Sequence, residues 1–195
     1  MIISIGIDCG VSEILKKYNL RSFSFPFDWV VPYNGISACI SDNFESFIPD
    51  RSSRINKHDI YFHHDFNTDT FDQDKIKYTR RCERLLTLLE TTKEQVIFCR
   101  RGHACHHHNE HSGRYSTIRS DIDDAEKLHI VLANKYSHLN YKILVFIVCG
   151  KCFDATKIYT STSDKIELYN IVSPSADHDM FERSFCKVMD ISFLT

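Results

Sequence analysis

Nine consecutive residues, Tyr141-Lys-Ile-Leu-Val-Phe-Ile-Val-Cys149, carry a single charge and no alternation of apolar with polar side chains. Such a run has no face to give to water. It reads as a strand covered on both sides, the situation of strands in parallel sheets flanked by helices. Shorter runs repeat the pattern at residues 2–7 (Ile-Ile-Ser-Ile-Gly-Ile), 95–99 (Gln-Val-Ile-Phe-Cys) and 165–172. Between them the period changes to that of helices. Val11, Ile14, Leu15 and Tyr18 share one face with Glu13, Lys16 and Lys17 opposite, and Asn19 closes the segment. Further helices are predicted over residues 36–48, 75–90, 117–136 and 177–189. In the fourth, Thr117 or Ser120 is a possible cap, and Asp121, Asp123 and Asp124 suit the positive end of the dipole. Residues 20–31, aromatic at alternating positions and broken by Pro26, read as an extended buried connection, and residues 59–66 as a short strand or ordered loop. Strands alternating with helices predict an α/β three-layer sandwich with a largely parallel central sheet. The 195 residues fit one domain over 1–195, with no internal repeat.

Composition narrows the function classes. Twenty-four basic against 26 acidic side chains give a net charge of −2, so no global field draws the chain to nucleic acid or anionic membrane. No apolar run approaches the roughly 18–20 residues that cross a bilayer. The opening Met-Ile-Ile-Ser-Ile-Gly-Ile has no basic leader and meets Asp8 too early for a secretory signal. The eight cysteines therefore read as thiols of a reducing compartment, and the expected location is cytoplasmic, in the host for a viral chain.

Cys9 is the first candidate for chemistry. It stands between a buried strand and a helix N-terminus, where unpaired N–H groups and the dipole favour a thiolate, and where the N–H groups of Cys9 or Gly10 could hold an oxyanion. The carboxyl ends of strands are also where ligands bind α/β sheets. A small buried hydrophobe is the alternative.

The segment Ile3-Ser-Ile-Gly-Ile-Asp-Cys9-Gly, followed by Leu20-Arg21 and Pro26-Phe-Asp-Trp29, resembles the opening of the DUF1796 family, described as papain-like cysteine peptidases and found in bacteria and large DNA viruses. The family's G-x-N-C, L-R and P-F-D-W motifs are matched, with Asp8 in place of the usual Asn. Phe62-His-His-Asp-Phe66, Tyr78-Thr-Arg-Arg-Cys-Glu-Arg84 and Val96-Ile-Phe-Cys-Arg100 resemble its later motifs, so the resemblance spans roughly residues 2–150. It implies a papain-like α+β fold as the alternative, and a thiol hydrolase with Cys9 as nucleophile. His64 then stands at the family's histidine and would be the base. Asp65 or Asp59 would orient it, and the order Cys then His is that of papain. Asp28 would orient a histidine or pair with Arg80, Arg81 or Arg100. Arg80 and Arg100, with the Gly10 N–H, would suit an anionic substrate. His178 is a second possible base. It lacks the Asp-x-x-His of three-layer hydrolases that place their nucleophile after the first strand, since Ser175 stands at the Asp position.

Three other clusters carry less. The histidine loop at residues 103–111, with Cys99 and Cys105, has zinc-competent side chains without the paired spacing of zinc modules, so no metal or cofactor is expected. Cys149-Gly-Lys-Cys152 has redox spacing but does not open a helix. Lys75, Lys77, Arg80, Arg81 and Arg84 form a basic face with no aromatic platform, which reads as solvated or internally paired rather than RNA-binding. The expected function is a cysteine hydrolase, of peptidase, amidase or esterase type, acting on a protein or an anionic small molecule. The competing class is a non-enzymatic, host-directed viral interaction protein on a hydrolase-like fold. Asp8 favours the second class, because a carboxylate beside a thiol raises its pKa.

Overall fold

The structure, a computed structural model, describes residues 1–32, 35–103, 107–109, 114–116, 118–149, 163–172 and 178–191. In chain order the elements are β1 (Ile2–Ser4), α1 (Gly10–Lys17), β2 (Val31–Pro32), α2 (Ile36–Ser41), β3 (Ile60–Tyr61), α3 (Phe71–Thr91), β4 (Val96–His103), β5 (His107–Asn109), β6 (Arg114–Ser116), α4 (Ile118–Lys135), β7 (Tyr141–Cys149), β8 (Ile166–Val172) and α5 (His178–Val188). The apolar runs pair as expected. They form a four-stranded sheet in the order β1-β4-β7-β8, parallel throughout. Beyond β1 the ladder continues to residue 7, through Ile5 N to Cys99 O and Ile7 N to Arg101 O, each 2.9 Å. The pairs β2–β3 and β5–β6 are antiparallel.

Because side chains alternate across a strand, each strand feeds two cores. Ile3, Ile5, Val96, Phe98, Ile143, Val145 and Ile147 meet α2, α3 and α4 on one face. Cys99, Leu144, Phe146 and Ile171 meet Val11, Ile14 and Leu15 of α1 and Phe181 and Phe185 of α5 on the other. Helices thus cover both faces of a parallel sheet, the α/β sandwich predicted, rather than the α+β alternative. No helix among the described residues is long and apolar enough to cross a membrane.

Several elements depart from the expected bounds; the strand expected over 95–99, for one, runs on to His103 as β4. The helix predicted over 36–48 stops at Ser41, where Asn43 and Phe44 turn to positive φ and Phe44 N bonds Cys39 O at 2.7 Å. Phe44 and Phe47 still reach the core, packing edge-on at 5.3 Å, so the apolar stripe marked burial but not helix. Helix α3 starts earlier than predicted, because Asp74 accepts from Thr70 Oγ1 (2.7 Å) and Phe66 N (2.8 Å) and fixes the first turn. The acids at the start of α4 also serve differently from expectation. Asp121 and Asp124 are buried beneath the sheet, where they meet Arg100.

Candidate active site

Cys9 is the N-cap of α1, at the carboxyl end of β1, with the thiol half-buried. Its carbonyl accepts from Glu13 N at 2.9 Å, and its side chain makes no cap bond. The expected thiolate is not what this environment favours. Burial, then the Glu13 carboxylate, then that of Asp8 push the thiol up to about 11, more than a hydrogen bond from the backbone of Cys9 offsets. Cys9 at rest is a neutral thiol.

Asp8 and Arg101 complete this corner. Asp8 Oδ1 accepts from Gly10 N at 2.8 Å, and Asp8 Oδ2 lies 3.3 Å from Arg101 Nη1. The same Arg101 nitrogen is 3.5 Å from His178 Nδ1, and the guanidinium lies over the Phe181 ring at 4.9 Å. A guanidinium only donates, so in this contact His178 Nδ1 carries the lone pair and its proton sits on Nε2. Helix α5 is fixed to α1 by Glu182, which accepts from Lys17 Nζ and Tyr18 OH, both at 2.6 Å. Gly10 lets the guanidinium approach this closely, since a Cβ there would lie 2.9 Å from Arg101 Nη1 and push it aside.

The other predicted residues fall elsewhere. His64 is exposed, with its ring edge-on to that of His63 at 4.6 Å. Asp65 accepts from Lys77 Nζ (2.6 Å) and Tyr78 OH (2.7 Å), both on α3. Asp42 and His58 form a carboxylate–imidazole pair in this region, at 2.6 Å. Asp28 is buried and takes Arg21 Nη1 at 2.5 Å and Phe25 N at 3.0 Å. Burial nevertheless pushes its carboxyl above the ordinary range. Arg80 is exposed on α3. Arg100 is fully buried, donating to Asp121 at 2.6 Å and to the carbonyls of Ile5 and Pro32 at 3.3 Å. These contacts make Arg100 a tie between sheet and α4. Its neighbour Arg101 occupies the Cys9 corner. The signal for Arg101 was in the sequence, because adjacent strand residues face opposite layers and only one of two consecutive arginines can reach α1. The side chains of the histidines at 103–111 lie outside the described residues, as does the Cys149–Cys152 pair, and the segment expected as a loop holds the end of β4 and strand β5; among the described residues no cluster of metal ligands forms.

The family described as "Putative papain-like cysteine peptidase (DUF1796)" covers the Asp8–Gly10 side of this corner but neither Arg101 nor His178. Residues 1–58 match that family. The match includes the Asp8-Cys9-Gly10 turn and the Arg21–Asp28 pair. An uncharacterized protein of Acanthamoeba polyphaga mimivirus is 30% identical over an alignment that covers 50% of this chain and 60% of the relative, so occurrence in a large DNA virus fits the resemblance. The chain thus spans about three fifths of that relative's length. No solved structure matches.

Proposed function

We propose that the protein is a hydrolase in which Cys9 is the nucleophile and a histidine accepts its proton, with an ester or amide carbonyl as the group attacked. The observation that carries this reading is the place of Cys9: half-exposed, at the carboxyl end of a parallel strand and on the first turn of a helix. A thiol held near 11 cannot rest as an imidazolium–thiolate pair, so the proton leaves Cys9 only as sulfur attacks carbon. The carbonyl oxygen takes up the electron pair and is stabilised by N–H groups of the first turn of α1. The base then protonates the leaving amine or alkoxide, and water cleaves the thioester. His178 is the base we propose, since it shares Arg101 with Asp8, and it must release Arg101 to take a proton at Nδ1. His64, the residue implied by the family motif, is the competing base, with Asp65 and Asp28 as its orienting carboxylates.

The test is acylation by an activated ester such as p-nitrophenyl acetate, followed by mass mapping of the acylated residue. Acyl transfer confined to Cys9, abolished by Cys9→Ser, slowed by His178→Ala and unchanged by His64→Ala, is the expected result. Acylation spread over several thiols, or unaffected by Cys9→Ser, contradicts the reading. One observation favours a second reading, a binding protein without turnover: the two carboxylates that keep Cys9 protonated.

A further inference from the structure

The Asp8 carboxylate does two things in one place. One oxygen takes the Gly10 N–H at 2.8 Å, a donor of the helix turn that would otherwise face an oxyanion, and the other sits 3.3 Å from the Arg101 guanidinium. Arg101 is itself buried and packed on Gly10 and Phe181. Among the described contacts, Asp8 adjoins Cys9 and Gly10 on the turn and meets Arg101 of β4, with His178 of α5 on the same guanidinium nitrogen; Glu13 of α1 acts on Cys9. Glu13 is exposed and is also a carboxylate beside Cys9, while the Gly10 N–H is taken by Asp8.

We propose that Asp8 is a self-inhibitory residue: its carboxylate occupies the donors beside Cys9 and must be displaced by an anionic group of the substrate before the thiol can react. This deepens the reading of Cys9 as nucleophile by naming what restrains it. In the resting corner Asp8 holds Arg101 and the Gly10 N–H, and Arg101 in turn holds His178 Nδ1. A carboxylate or phosphate entering in place of Asp8 keeps Arg101 paired while removing a negative charge from beside the sulfur.

Comparing Asp8→Asn with Glu13→Gln separates occupation of the donors from charge alone, because each removes one negative charge near Cys9 and only the first takes the Asp8 carboxylate off Arg101. The amide oxygen introduced by Asp8→Asn retains an acceptor for Gly10 N, so the turn is preserved. In the first arm, inorganic phosphate is added and the melting midpoint followed. Millimolar phosphate raises the midpoint of Asp8→Asn and leaves wild type and Glu13→Gln unmoved. Equal shifts in all three, or none in Asp8→Asn, overturn the proposal whether or not Cys9 is reactive. In the second arm, Cys9 is alkylated with neutral iodoacetamide and anionic iodoacetate. The iodoacetate-to-iodoacetamide rate ratio rises about threefold more in Asp8→Asn than in Glu13→Gln. Equal ratios in the two variants overturn the proposal. Failure of Cys9 to react with either reagent counts against the nucleophile, and the phosphate arm then decides the role of Asp8 alone.

Discussion

At the turn that delivers Cys9, single residues decide whether the corner can exist. Gly6 has φ +89, a conformation costly to any residue with a Cβ, and a Cβ there would run into the Pro32 ring. Pro32 in turn gives its carbonyl to Arg100, so strand β2 cannot simply retreat. Gly6→Ala therefore destabilises the fold by about 2 kcal/mol or more, measured by urea unfolding, and a loss under about 0.5 kcal/mol would contradict this placement of β2. Asp8, Cys9 and Gly10 could be read as a turn from sequence. The protonation of the thiol was only half legible: the adjacent Asp8 carboxylate announced its sign, whereas burial, the larger cause, and Glu13 one helical turn along required the packed helix.

The elements show why Arg100 and Arg101 diverge. Arg100 faces α4, where Asp121 and Asp124 lie buried with one guanidinium between them, and Gly102 lets Asp121 approach, since a Cβ there would lie 2.6 Å from Asp121 Oδ2. Burial pushes the Asp124 carboxyl above its ordinary value, more than Arg100 and Ser37 lower it. A group with a raised folded pKa stabilises fully below its unfolded value, and that contribution is lost as pH rises through the folded one. Asp124→Asn keeps the shape of the protonated acid without the titration. Its stability relative to wild type should increase as pH is raised from about 4 toward neutrality. Equilibrium unfolding at a series of pH values checks this; a difference that stays constant or shrinks with pH would show that Asp124 is ionised in the folded protein. None of this was legible from the acidic start of α4, which suited a dipole equally well.

For the whole molecule, the parallel sheet and its two helical layers followed from runs such as 141–149, because unalternating strands have to be covered on both faces. That His178 shares Arg101 with Asp8 did not follow. His64 matches a local motif, while His178 reaches the corner only because α5 folds back beside α1 and is held there by Glu182 on Lys17 and Tyr18. Such a contact, joining residues some 165 positions apart, has no periodic signature in the chain. The two readings of function, hydrolase and binding protein, differ in whether this neutral thiol can be activated, and both require that it be neutral first. The rate of Cys9 alkylation by iodoacetamide against pH, mapped by mass spectrometry, measures that state directly. The rate should climb about tenfold per pH unit through pH 9 without a plateau, as for a thiol near 11, and Asp8→Asn and Glu13→Gln should each lower the midpoint. A plateau reached below about pH 8, with no response to either variant, would mean that Cys9 rests as a thiolate and would contradict the arrangement described for this corner.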